Sequence, residues 1–120
     1  MTETHRHIGN KAEDLACEFL LTKGWEILDR NYYSGHSEVD IIAKDDSFIV
    51  FLEVKMRSST KFGSPLEHVT EAKVAHVFKA AETWVIENNA HDSPLRFDVI
   101  SILKEENLPP LIEHIPDAFR

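Results

Sequence analysis

One stretch, residues 48–57 (Phe-Ile-Val-Phe-Leu-Glu-Val-Lys-Met-Arg), restricts the folds open to this chain more than any other. Its five leading apolar residues, rich in aromatic and β-branched side chains, predict a sheet strand buried on both faces. The second half of the strand contains the charged residues Glu53, Lys55 and Arg57. Because side chains alternate along a strand, these three lie on the same face of the sheet. Buried charge is costly unless it is paired or bound to a metal. Two interpretations stay open: a structural Glu53–Lys55 ion pair at the sheet edge, or a metal-dependent active site.

The surrounding pattern predicts an α/β domain with a mixed sheet flanked by helices. Apolar residues spaced by three and four predict helices over 8–23 and about 70–88. Runs of apolar and β-branched residues bounded by polar turns predict further strands at 25–33, 38–43, 96–103 and 111–115. Gly24 is expected to cap the first helix in a left-handed conformation, and Thr70 to cap the start of the second.

The strand over 38–43 carries a carboxylate that is expected to meet Glu53. If the turn at 44–47 pairs Lys44 with Ser47, Asp40 lies across from Phe51 and Glu38 across from Glu53. Asp40 and Glu53 are then diagonal neighbours on one face, about 7 Å apart at the backbone. Two such carboxylates repel each other, and a divalent cation would remove the repulsion.

Each helix offers one more candidate side chain. Glu13 borders the apolar stripe of the first helix, so it either faces the sheet or is a solvated helix-side glutamate. Lys73 and Lys79 lie off the stripe of the second helix, where lysines usually keep a protein in solution. Lys73, in the first turn, is also placed to face an approaching phosphate.

Length and composition favour one domain over residues 1–120, large enough for a core that buries about two-thirds of the unfolded surface. Cys17 is the only cysteine, which excludes an internal disulfide and fits a reducing cytoplasm. No apolar run approaches the roughly 20 residues that span a bilayer. The seven histidines are dispersed without the spacing of a zinc site, and we expect His114 to be structural.

The net charge of −8 argues against a protein that holds nucleic acid by bulk electrostatics. The charge is uneven, however. Residues 1–52 and 81–120 each carry −5, whereas residues 53–80 carry +2. The basic segment begins at the charged end of the central strand and continues into the second helix, which favours phosphate contacts there.

The unusual acids and bases form a pattern of Glu13 on a helix, Asp40 on a strand and Glu53-x-Lys55 on the adjoining strand. Further short motifs are spread over nearly all of the chain: Gly9-x-x-x-Glu13-x-x-Ala16, Asn31-Tyr32, Glu38-Val-Asp-Ile-Ile42, Phe51-Leu-Glu-Val-Lys-Met-Arg57, Phe62-Gly63, Val69-x-x-x-Lys73, Arg96-Phe-Asp-Val99 and Glu113-His114-x-x-x-Ala118-Phe119. The pattern resembles the PD-(D/E)XK nuclease superfamily, as arranged in archaeal Holliday junction resolvases. The whole chain resembles the YraN-type family of small, largely uncharacterised bacterial proteins with that fold.

The resemblance implies a restriction-endonuclease-like fold with Asp40 and Glu53 as metal ligands. It also implies that Lys55 orients the attacking water or the phosphate and that Glu13 is a supporting acid. Mg²⁺, with Mn²⁺ as the alternative, suits such oxygen ligands and would polarise a scissile phosphate while Lys55 compensates developing charge. Phosphate contacts are expected from Arg57, Lys73 and the 58–64 loop.

Two positions depart from the family pattern. Ser37 stands where the family usually has Gly just before its Glu-(Ile/Val)-Asp motif, and Met56 stands where a small polar residue is usual. Neither is a catalytic carboxylate. Ser37 in place of glycine is expected to alter how the hairpin loop approaches a substrate.

Three functions follow from these observations. The first is a Mg²⁺-dependent endonuclease that hydrolyses phosphodiester bonds in structured or branched DNA, expected as a homodimer because related junction enzymes cut two strands. The second is a non-catalytic nucleic-acid-binding or partner-docking module that retains the nuclease fold. The third is a purely structural domain with an ion-paired sheet edge.

Overall fold

The computed structural model describes residues 3–59 and 70–119, with side chains described for 11–59 and 70–119. The helices and strands are α1 (Glu3–Thr22), β1 (Glu26–Ser34), β2 (Ser37–Asp45), β3 (Phe48–Arg57), α2 (Glu71–Glu87), β4 (Leu95–Leu103) and β5 (Leu111–Ile115). Each predicted helix and strand is present, with ends that differ by a few residues. α1 begins at Glu3 rather than at residue 8 because residues 3–7 contain no proline or glycine that would end a helix.

The five strands form one mixed sheet in the order β1-β2-β3-β4-β5, with β3 at its centre. β1, β2 and β3 pair antiparallel, β3 and β4 pair parallel, and β5 pairs antiparallel with β4. A parallel pair needs a crossover connection, and α2 lies in the one between β3 and β4. The predicted mixed sheet flanked by helices, of the restriction-endonuclease-like type, is confirmed.

Consecutive residues of β3 face different helices, which explains its unbroken apolar run. Leu52 packs with Leu20 of α1 on one face, and Phe51 packs with Trp84 of α2 on the other. Because both faces are covered, the first half of β3 needs apolar side chains on both sides. The charged second half therefore lies at the end of a sandwiched strand.

The two predicted helix caps are confirmed. Gly24 follows α1 with a φ of +84°, in the left-handed region that only glycine adopts at low cost. Thr70 precedes α2, and its hydroxyl accepts a hydrogen bond from the backbone N–H of Lys73 at 3.1 Å.

The predicted register of the β2–β3 hairpin is wrong by two positions. Asp45 pairs with Phe48 across a two-residue turn, and Asp46 in that turn has a φ of +56°. Two-residue hairpin turns take left-handed residues, and Asp tolerates that conformation better than most side chains. The pairing runs to Ile41 opposite Leu52, so Asp40 and Glu53 come next, rather than Asp40 opposite Phe51 or Glu38 opposite Glu53. A shift of two leaves every side chain on its predicted face.

No helix in the described ranges is both long enough and apolar enough to cross a membrane.

Candidate functional site

The candidate site lies where the ladder between β2 and β3 ends. Beyond the last pair, Ile41 with Leu52, the Asp40 side chain replaces the β2 backbone as a partner of β3. Asp40 Oδ2 accepts a hydrogen bond from the backbone N–H of Val54 at 2.8 Å. A carboxylate is thereby fixed against the centre strand immediately beside Glu53, and both side chains are buried.

Glu53 is held by two lysines, and the nearer one is not its neighbour on β3. Lys73 Nζ of α2 lies 3.1 Å from Glu53 Oε1, whereas Lys55 Nζ lies 3.9 Å from the same oxygen. The predicted Glu53–Lys55 pair therefore exists, but it is the looser contact. The second oxygen, Glu53 Oε2, is buried and has no hydrogen-bond partner among residues 11–59 and 70–119. Burial raises the pKa of Glu53 even though both lysines act to lower it.

Glu13 reaches the site from the opposite helix. It is 7% exposed, so the interpretation of a solvated helix-side glutamate is wrong. The side chain of Asn31 hydrogen-bonds Glu13, and Arg30 Nη2 lies 3.7 Å from Glu13 Oε1. Burial raises the pKa of Glu13 despite these two partners. Asn31 has a φ of +51° within β1.

Asp40 is the residue that joins the two sides of the site. Burial, and then the charge of Glu53, raise its pKa to about 8, against the opposing hydrogen bond from Val54. The charges of Glu38 and Glu13 act in the same direction. The structure thus brings Glu13, Asp40 and Glu53 together. Lys55 lies beside this group through its contact with Glu53.

Glu38 is a member of this cluster that the sequence analysis did not single out. It is half-buried on β2, and the Tyr33 side chain hydrogen-bonds it. Its negative charge helps to raise the pKa values of Glu13, Asp40 and Glu53. The signal was available, because Glu38 and Asp40 are two residues apart on one strand and so share a face in a regular ladder.

The residues expected to contact phosphate lie in three different settings. Arg57 is half-buried at the end of β3, two residues beyond Lys55. Lys73 stands in the first turn of α2 and is engaged with Glu53. Residues 60–64 of the 58–64 loop lie outside the described residues, so the expectation for that loop stays a prediction.

The residues present suit a magnesium ion with few protein ligands. No group of three or more His, Cys, Asp or Glu side chains in the described part of the chain is arranged to hold a metal. Asp40 and Glu53 nevertheless supply two adjacent buried carboxylates, and no described residue hydrogen-bonds Glu53 Oε2. Mg²⁺ commonly binds through one or two carboxylates, with water and phosphate completing its octahedron. The donor set therefore fits Mg²⁺ and does not suit a closed zinc site.

The crowding at Asp40 should cost stability in the absence of metal. For an acid whose pKa is higher folded than unfolded, folding stability falls as pH rises from the unfolded pKa, about 4, to the folded pKa. Asp40→Asn is neutral throughout and keeps an oxygen for the Val54 N–H. We expect urea denaturation in EDTA to show the variant gaining more than about 1 kcal/mol on the wild type between pH 5 and pH 8. An equal difference at the two pH values would show that Asp40 is not crowded.

Comparison with known proteins identifies the family. The model of the uncharacterised protein family UPF0102 matches residues 12–102, a span that includes Glu13, Asp40, Glu53, Lys55 and Lys73. A UPF0102 protein of Flavobacterium psychrophilum is 44% identical over 115 residues, covering 96% of this chain and 95% of the relative. One from Geobacter metallireducens is 42% identical over 119 residues, covering 99% and 97%. The chain, as its YraN-type resemblance implied, therefore belongs to the uncharacterised protein family UPF0102.

Proposed function

We propose that this protein is a Mg²⁺-dependent endonuclease that hydrolyses phosphodiester bonds in structured or branched DNA. One observation carries the proposal: two carboxylates, Asp40 and Glu53, are buried side by side at the end of the central strand. This arrangement costs stability, because burial opposes ionisation of both side chains and the charge of Glu53 further opposes ionisation of Asp40. Perturbed carboxylates of this kind concentrate at functional sites.

Each side chain has a chemical role in this reaction. Asp40 and Glu53 would hold the ion, which when bound activates water and polarises a phosphate oxygen. Lys55, 3.9 Å from Glu53 Oε1 and partly exposed, orients the attacking water or the phosphate and offsets negative charge in the transition state. Glu13, buried on the α1 side, is the supporting acid.

Substrate contacts are assigned to the basic part of the chain. Residues 53–80 carry +2 in a protein of net charge −8, whereas the segments before and after them carry −5 each and oppose the approach of a nucleic-acid backbone. Arg57 and Lys73 lie at the ends of β3 and α2 that border the carboxylates. Such phosphate contacts position a nucleic acid without reading its sequence, which suits a substrate recognised by its shape.

A cleavage assay tests the proposal. The protein is incubated with four-way junction, flap, duplex and single-stranded DNA in Mg²⁺, in Mn²⁺ or in EDTA. We expect cleavage of at least one branched substrate with either metal and none in EDTA. Gel filtration with an intact junction measures the expected homodimer, since two strands need two sites. Absence of cleavage of every substrate in both metals would contradict the proposal.

A second candidate is a non-catalytic nucleic-acid-binding or partner-docking module that retains the nuclease fold. The lack of a three-ligand metal group among the described residues favours it, and the net charge of −8 weighs against a DNA-cutting enzyme. This second candidate predicts nucleic-acid binding that needs no metal and persists in Glu53→Ala. Calorimetric titration with MgCl₂ separates the two candidates. A heat of binding that disappears in Asp40→Ala supports the enzyme. We expect a cytoplasmic location under either proposal. Cys17 is the single cysteine of the chain and forms no disulfide, which fits a reducing compartment.

A further inference from the structure

Lys73 makes the shortest ionic contact in the candidate site, at 3.1 Å from Glu53 Oε1. The residue belongs to α2, a different element from the strand that carries Glu53 and Lys55. Its ammonium is therefore brought to the carboxylate by the packing of a helix on the sheet. The roles assigned above to Glu53 and Lys55 do not require this contact.

The contact places a positive charge beside the carboxylate that a metal ion needs. Glu53 is 5% exposed at its side chain, so water screens the pair poorly. A lysine amine is protonated near neutral pH, so Lys73 brings a full positive charge to Glu53. An ammonium and a divalent cation near the same carboxylate repel each other. Binding of one therefore disfavours the other unless Lys73 moves.

Lys73 is able to move. Its side chain is about one-third exposed, and a lysine stem is long and flexible, with three donors that rotate freely. Its own backbone N–H is fixed by the Thr70 cap, so the helix start stays in place while the ammonium swings. The released ammonium would then be able to pair with a phosphate of a nucleic acid bound at the site.

We infer that Lys73 is the resident counter-ion of Glu53 in the metal-free protein, and that a metal ion at Glu53 releases the Lys73 ammonium to a nucleic-acid phosphate. This inference rests on the proposed function and adds a regulatory contact to the same site. Metal and nucleic acid then bind with positive coupling, because each favours the state in which Lys73 has left Glu53. The protein alone holds its metal weakly, and the substrate completes the site.

Calorimetric titration with MgCl₂, without nucleic acid, tests the inference in wild type and in Lys73→Met. The variant keeps the stem and removes the competing charge. We expect it to bind Mg²⁺ at least about fivefold more tightly than the wild type. Lys79→Met is the matched control: it removes an exposed lysine from the same helix and should leave the affinity unchanged.

Thermal unfolding provides a second readout. Without its counter-ion, Glu53 should destabilise metal-free Lys73→Met, so Mg²⁺ should raise its unfolding midpoint more than it raises that of the wild type. Lys73→Gln should show the same larger rise in unfolding midpoint, which would exclude an effect of the methionine itself. Equal Mg²⁺ affinities in wild type and both variants would overturn the inference while leaving the metal site intact. No Mg²⁺ binding in any of these proteins would overturn the proposed function as well.

Discussion

Glu53→Gln should cut the proposed substrates at least about a hundredfold more slowly than the wild type, with the fold intact. Glutamine has the shape of the glutamate but lacks the charge that holds a cation and pairs with Lys55 and Lys73. Burial raises the pKa of Glu53, which means that folding opposes its ionised form, and the neutral amide avoids that cost. The variant should therefore unfold at the same urea concentration as the wild type, or a higher one, in EDTA.

Initial cleavage rates at saturating Mg²⁺, together with urea denaturation in EDTA, measure both halves of this expectation. Glu26→Gln, which neutralises an exposed glutamate of β1, is the control and should cut at the wild-type rate. A Glu53→Gln variant that is markedly less stable would instead support the purely structural domain, in which the ion pair holds the sheet edge. Cleavage within about threefold of the wild type would remove Glu53 from the reaction.

Local pattern was sufficient to predict the sheet and its central strand. The apolar run before Glu53 and the helical periodicity of the two flanking segments each report burial, and burial follows directly from residue type. The register of the β2–β3 hairpin was less accessible, because it depends on which two residues form the turn, Asp45-Asp46 as expected or Asp46-Ser47 as found. That choice was settled by the left-handed conformation of Asp46, which the sequence permits without requiring.

The contacts that the sequence did not predict join residues far apart in the chain. Lys73 meets Glu53 only because α2 packs on the sheet at one particular rotation. Glu13 of α1 likewise approaches Asp40 of β2 because α1 packs on the sheet. Periodicity assigns a side chain to a face, but the distance between two side chains on that face is fixed by tertiary packing.

A second buried aspartate, Asp98 of β4, shows what a structural carboxylate looks like in this fold. It is fully buried, yet each oxygen has partners: Arg96 donates to both, His114 Nε2 lies 2.7 Å from Oδ2, and the backbone N–H of Asp117 donates to Oδ1. Burial alone would raise the pKa of Asp98, but these hydrogen bonds outweigh it and the pKa is lowered. The contact agrees with the structural role expected of His114. Asp40, in contrast, has a raised pKa and crowds against another acid.

Asp98→Asn should therefore destabilise the protein by about 3 kcal/mol or more, because it removes one charge from a buried pair and replaces one acceptor oxygen by an NH2 donor that faces other donors. Urea denaturation at pH 7 measures the loss. Asp45→Asn is the graded control: Asp45 Oδ2 accepts from the same Arg96 at 3.2 Å but is partly exposed, so its loss should stay below about 1 kcal/mol. Because the pKa of Asp98 is lowered on folding, the wild-type advantage should be complete above about pH 4 and shrink as the pH falls further. Equal losses in the two variants would mean that the Asp98 network adds no more than a surface ion pair.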